Sequence, residues 1–283
     1  MATYDLATLS EAQAFLNVSG EDDMLSRMIT AATQVMERYT GRRLASRSYT
    51  EWVNGSGTDR LYLNNWPITT LSRICNGQRE VARIYNTSTD AAYATVTADT
   101  SGLTLTVGGG TNDGSDTSIT WASYATVADV VAAVNALGSG WYAEVLESRG
   151  SYPSAEIRPM GAGAALNNGT HGNSYVDLQA PEEPIQDVMI DVEQRYLYAP
   201  SGFNAGTLNV FAAYTAGYAT TDQAYEHLTQ ICLEIVSRMY AKRGKGGGMR
   251  SESLDGYSYT LAAEAELQAD IRAMLAPYCR VVV

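Results

Sequence analysis

With 283 residues, 45% of them apolar, the chain is long enough for one large or two ordinary domains around a true hydrophobic core. Its 31 Asp and Glu outnumber 19 Lys and Arg, and the net charge of −12 opposes tight binding to a phosphate backbone, which draws on an excess of cations. No apolar run reaches membrane-spanning length, and the opening MATYDLATLSEAQ lacks a basic segment followed by an apolar one, so neither membrane insertion nor export is expected.

Two helices are predicted first. Thr8 followed by Glu11 is a capping box for a short helix through Leu16, and Ser19 followed by Asp22 reads as the start of a second. In the second, Leu25, Met28, Ile29, Ala32, Val35, Met36 and Tyr39 form a stripe that Gly41 ends, and both helices are expected to lie on a sheet. That sheet is expected from alternation over Tyr49 to Val53, Arg60 to Leu63, Thr70 to Ile74 and Val81 to Tyr85, with Asn76-Gly77 as a two-residue hairpin turn.

From Asn86 to Ala180 charge falls and Thr, Ser, Gly, Ala and Asn dominate. Strand-like runs cover Ala92 to Thr97, Leu103 to Val107, Ser118 to Trp121 and Trp141 to Leu146. Between them Val127, Val130, Val131, Val134 and Leu137 share one helical face, which Thr126 can cap and Gly138 can stop. This stretch reads as an inserted α+β subdomain, closed by the Gly- and Asn-rich tract Gly161 to Asn173.

After Pro181 and Pro184, Ile185 to Val192 fits either a helix or a buried strand, and Leu208 to Tyr214 is a strand. The longest helix follows. Leu228, Ile231, Cys232, Ile235, Val236, Met239 and Tyr240 fall at helical spacing, with Glu226 and Glu234 early and Arg238, Lys242 and Arg243 late, the order that suits the helix dipole. Gly244 stops it, and KGGGMRSESLDGY is too glycine-rich to hold one conformation alone, so a mobile loop is expected before a last helix over Leu261 to Leu275. Pro277 ends that helix, and Tyr278 to Val283 is a short strand-like tail.

Chemistry is sparse. His171 sits in a Gly/Asn loop and His227 at a helix start, without a ligand cluster beside either. Cys75, Cys232 and Cys279 are odd in number and lack metal-ligand spacing, so they read as reduced, packed thiols. Gly-x-Ser-x-Gly, the zinc-protease helix pair and Gly-x-Gly-x-x-Gly after a strand are absent. Gly244-Lys245-Gly246 follows a helix and precedes no Ser or Thr, which argues against a phosphate loop. The run Asn112 to Asp116 lacks the later Glu of a calcium loop and reads as a turn. No catalytic residue, cofactor or metal is therefore expected. The basic cluster Arg238, Lys242, Arg243, Lys245 and Arg250 stands out in an acidic chain, and 19 Tyr against 3 Phe suits wet interfaces between subunits.

The order LATLSEAQAFLNVSGEDDMLSRMITAATQVMERYTGRRL, WPITTLSRI, VFAAYTAGYAT, the helix ending at Arg243, SESLDGYSYT and LAPYCR resembles the head-tail connector proteins of tailed phages, also called adaptors or head completion proteins. The resemblance covers residues 1–84 and 181–283, and TAGY and YTGRRL are its most telling pieces. It implies a virion neck protein made in the bacterial cytoplasm, forming a ring of about a dozen copies below the portal after genome packaging. Such a ring extends the DNA channel, offers the tail an attachment surface and lets DNA pass on ejection without specific binding. The carboxy-terminal segment would be the contact with portal or neighbouring copy, making Arg238, Lys242, Arg243, Lys245, Arg250, Tyr257 and Tyr259 the candidate residues. The expected fold is α+β: helices packed against a small, mostly antiparallel sheet, with an inserted α+β subdomain. Its parts are a connector core over 1–85 and 181–283 and the insertion over 86–180. A carbohydrate- or surface-binding virion module is the rival, suggested by the Thr/Gly/Tyr-rich insertion.

Overall fold

The computed structural model describes residues 2–114, 117–182, 184–191, 195–243, 251–254, 257–260 and 268–279. In chain order the elements begin with helices α1 (Leu9–Leu16) and α2 (Asp22–Thr40) and strands β1 (Arg47–Gly55), β2 (Arg60–Leu61), β3 (Ile68–Asn76) and β4 (Gln78–Asn86). Then come β5 (Tyr93–Ala98), β6 (Gly102–Gly108), β7 (Thr117–Thr120), α3 (Val127–Ala136), β8 (Trp141–Val145), β9 (Met160–Ala164) and β10 (Val176–Pro181). The rest is β11 (Met189–Asp191), β12 (Tyr196–Tyr198), β13 (Gly206–Ala216), α4 (Gln223–Lys242), β14 (Ser251–Leu254), β15 (Tyr257–Thr260) and α5 (Ala269–Leu275). The fold is mixed α+β, and the chain divides into two compact units: Met1–Arg47, Asn64–Thr69 and Thr215–Val283 in one, Ser48–Leu63 and Thr70–Tyr214 in the other.

The first unit is built on helices. Both bonds of the predicted capping box start α1: Thr8 Oγ1 accepts from Glu11 N at 3.2 Å and Glu11 Oε2 accepts from Thr8 N at 2.7 Å. The predicted Ser19 cap is not used. A tight reversal with positive φ at Asn17, Gly20 and Glu21 puts Glu21 at the cap position, and Gln13 Nε2 donates to Asp22 Oδ1 at 2.8 Å. The helices bury their apolar faces on one another rather than on a sheet: Ala12 of α1, Ile29, Ala32 and Met36 of α2, Leu228, Ile231, Cys232, Ile235 and Val236 of α4, and Ile271 and Leu275 of α5 share one core. The 19 residues of α2 and 20 of α4 each carry an apolar stripe long enough to cover the other.

The face of α2 is rotated from the predicted stripe. Val35 and Tyr39 are exposed, whereas Thr33, Glu37 and Thr40 are buried. Each buried polar group has a partner: Thr33 Oγ1 accepts from Leu6 N at 3.1 Å, Thr40 Oγ1 donates to Met36 O at 2.9 Å, and Glu37 is ion-paired. Hydrophobic periodicity has no access to such compensation.

Near the carboxy terminus, the region expected to be a mobile loop contains the antiparallel hairpin β14–β15, with Ser251 opposite Thr260 and Leu254 opposite Tyr257. In YSYT, Tyr257 and Tyr259 alternate with Ser258 and Thr260, a pattern that suits a strand, and pairing with β15 defines β14. The described part of the last helix is α5, followed by a 3-10 turn at Ala276–Tyr278 that takes in Pro277 and Tyr278. Residues 261–267 and 280–283, where the rest of that predicted helix and tail would fall, lie outside the described residues.

The second unit holds the sheets. β7-β6-β5-β9 form a four-stranded antiparallel sheet, and β10-β4-β8 a three-stranded one. Their inward residues, among them Ala94, Val96, Leu103, Leu105, Val107, Ile84 and Leu178, meet Val127, Val130 and Val134 of α3 in one core. Helix α3 begins at the predicted Thr126 cap, completed by Asp129, and Gly138 follows it with φ of 69°. Strand β9 arises in the tract read as a closing loop: its exposed Gly161 and Ala162 hide the alternation, and pairing with β5 defines it. Of the ambiguous Ile185 to Val192, Met189–Asp191 is a strand, pairing with β12.

Asn76-Gly77 does not make a hairpin. β3 joins the sheet β1-β13-β3 while β4 joins β10 and β8, so the chain turns from one sheet into another at Gly77, whose φ is 86°. Gly77 N donates to Asn209 O at 2.8 Å, and Asn76 Nδ2 donates to Gly202 O at 3.0 Å. Residues 86–180 lie wholly inside this unit and are tied to its other strands. Trp52 Nε1 donates to Glu156 O at 3.1 Å, Arg73 pairs with Glu156, and Arg158 donates to Leu208 O at 2.8 Å and Thr207 O at 2.8 Å.

Candidate functional site

Arg42 follows the stop of α2, where Gly41 adopts φ of 70°, and is only 7% exposed. Its guanidinium satisfies three acceptors from distant parts of the helical unit. Nε donates to Tyr278 O at 2.6 Å, Nη1 to Trp66 O at 2.7 Å and Nη2 to the Tyr218 hydroxyl at 3.1 Å. The fork is planar and carries its charge over the Tyr218 ring, 5.5 Å from the centroid, and the rings of Tyr218 and Tyr278 meet edge to face at 5.6 Å. The backbone closes the same knot: Gly217 N donates to Pro67 O at 2.9 Å, and Tyr218 N to Leu44 O at 2.8 Å. His227 Nδ1 lies 2.8 Å from the Tyr278 hydroxyl.

The neighbouring arginines turn the other way, onto the buried Glu37 carboxylate. Arg43 Nη1 reaches Oε2 at 2.5 Å, Arg47 Nη2 reaches Oε1 at 2.9 Å, and Leu44 N donates to Oε1 at 3.2 Å. A cleft of about 560 Å³ opens here, lined by Gln34, Arg38, Asn64 and Asn65 beside Glu37 and Arg43. Its lining of amides, arginines and the ion-paired Glu37 carboxylate is polar.

The structure treats the sequence-predicted contact residues individually. Arg238 is fastened within the fold, pairing with Asp270 of α5, with Gln268 and, at 3.6 Å, with Glu234. The Arg238 guanidinium holds the Asp270 carboxyl down at about 2. Arg243, past the end of α4, pairs with Glu21 and lies 3.4 Å from the Tyr240 ring centroid. Lys242 is the last residue of α4. Tyr257 and Tyr259 share β15, at alternate positions. Lys245 and Arg250 lie outside the described residues. Arg42 and Glu37 were legible only as letters of YTGRRL and of the helix before it; a basic pair after a helix stop is their one sequence signal.

Elsewhere, burial pushes the Cys232 thiol up to about 12, consistent with a packed rather than reactive sulfur. Among the described residues no group of three or more His, Cys, Asp and Glu could hold a metal ion, and no helix is long and apolar enough to cross a membrane.

The sequence matches no protein-family model, and no curated protein matches it. Among solved structures, the chain is similar to one from the neck of an empty gene transfer agent (GTA) particle computed with C6 symmetry. The TM-score is 0.40 at 13% identity, over 100% of this chain and 94% of that one.

Proposed function

We propose that this chain is a structural subunit of a phage-like virion neck, a head-tail connector that associates with copies of itself into a ring of about a dozen below the portal. In this reading it extends the DNA channel, presents a surface to the tail and works by shape, without a covalent step. The observation that carries the reading is the convergence on Arg42. YTGRRL, WPITT, TAGY and LAPYCR, four of the stretches on which the family resemblance rests, are far apart in the chain and meet at one guanidinium. The residues of all four that meet there, Arg42, Trp66, Tyr218 and Tyr278, lie within the helical unit. Two further properties support it: the net charge of −12 keeps a DNA duct from gripping its cargo, and tyrosines are plentiful at the surface.

The test is electron microscopy of the purified protein, alone and with a portal preparation. Annular particles, or a ring added beneath the portal, are expected. A protein that stays monomeric under both conditions, with no density at the neck of intact particles, would falsify the reading.

A further inference from the structure

The outer face of the sheet β10-β4-β8 carries two ordered rows of side chains. Tyr85 of β4 is paired with Tyr142 of β8, their ring centroids 5.0 Å apart and tilted by 41°. Tyr175 precedes Val176, whose partner on β4 is Ile84, so one further step of the antiparallel register sets Tyr175 beside Tyr85. Three tyrosines thus cross the sheet in line, spanning about 10 Å at the usual strand spacing. One row over, Arg83 is opposite both Glu144 and Asp177. Arg83 Nε and Nη2 hold Asp177 at 2.7 and 2.9 Å, and the guanidinium stands 3.7 Å from the Tyr175 ring centroid.

The face is open. Tyr142 and Tyr175 are 44% and 50% exposed. The three phenol hydroxyls and the Glu144 carboxylate make no hydrogen bond within the described residues, while the inward neighbours Ile84, Ala143 and Leu178 are buried. We propose that this face is a binding site for a neutral, hydroxyl-rich saccharide. The C–H faces of pyranose rings meet the exposed sides of Tyr142 and Tyr175 at the two ends of the row, and their hydroxyls reach the phenols, Glu144 and the edge of the Arg83–Asp177 pair.

The same residues disfavour other occupants. A nucleic acid would bring phosphates to a patch where Arg83 is already held by Asp177, beside the Glu144 carboxylate. The same face on a second copy would bring the Glu144 carboxylates, unpaired among the described residues, to a seam whose Arg83 guanidiniums are each already paired with Asp177, an excess of negative charge. A purely apolar partner would strip water from three hydroxyls and a carboxylate and return no hydrogen bond.

Titration calorimetry of the full chain tests this, with hexaoses of β-1,4-linked glucose, α-1,4-linked glucose and β-1,4-linked N-acetylglucosamine as probes. At least one is expected to bind, and Tyr142→Ala and Tyr175→Ala are each expected to weaken that binding about tenfold. Both rings are exposed, so the melting temperature should hold; Tyr142→Leu keeps bulk without the polar ring and serves if the alanine variant unfolds. The proposal is overturned if none of the three hexaoses binds, or if binding survives the double variant. Loss of self-association, or of binding to a short single-stranded DNA, in the double variant in place of sugar binding overturns it equally and assigns the face to a second copy or to nucleic acid. The outcome is independent of the neck reading: a monomer that binds a hexaose removes the ring and keeps this site.

Discussion

Arg42 gathers a main-chain carbonyl from each of two segments and a hydroxyl from a third, a geometry available to a planar fork and not to an ammonium. Arg42→Lys can satisfy at most part of that set and leaves buried acceptors unpaired, so it is expected to destabilise the helical unit by about 2–3 kcal/mol. Hydrogen exchange of α2 and α5 amides checks this, since a global melt mixes both units; unchanged protection would show that the arginine is dispensable. Thiol chemistry offers a second test at this scale. Cys75 and Cys232 are fully buried and Cys279 is partly exposed, and the raised Cys232 value keeps that sulfur protonated at pH 8. Iodoacetamide followed by mass spectrometry should modify Cys279 first, and Cys232 only after unfolding.

Among the elements, α5 is seven residues long and too short to hold its place by helix propensity alone. Ile271 and Leu275 anchor it in the core, and Asp270 pairs with Arg238 of α4. Asp270 has a folded value of about 2 against an ordinary 3.8, so its contribution to holding α5 is fully present above about pH 4 and is lost as pH falls towards 2. A carbon-detected NMR titration should find the Asp270 midpoint near 2, and Arg238→Gln should return it towards the ordinary range; an unmoved midpoint would detach the shift from that ion pair. The Asn76-Gly77 corner teaches a complementary lesson. The dipeptide supplies the positive φ that a hairpin needs, but its neighbours Asn209, Gly202 and Glu182 come from remote segments and redirect the chain into a second sheet.

For the whole molecule, assembly is the property to test. In the helical unit Arg238 already pairs with Asp270 of α5, while Arg243, among the described residues, reaches Glu21 and the Tyr240 ring. Replacing Lys242, Arg243, Lys245 and Arg250 by Ala is therefore expected to leave circular dichroism and melting temperature close to the parent, because exposed ion pairs contribute little. Ring or portal association, read by sedimentation, should weaken several-fold as the basic cluster is lost from an otherwise acidic chain. Undiminished association would make the cluster a solvated helix end and nothing more.

The amino-acid sequence alone determined the local features: the Thr8 and Thr126 capping boxes, the apolar stripe of α4, and the strands whose side chains alternate. Each is encoded by residues within a few positions of one another. Tertiary structure decided the rest, because the deciding partners are remote in sequence. Helices meet helices in a unit of their own, α2 buries Glu37 and Thr33 because Arg47 and Leu6 come to them, and β9 is a strand because β5 lies alongside. The row of Tyr142, Tyr85 and Tyr175 likewise exists only in the folded chain, since strand register alone aligns three residues drawn from three separate strand regions.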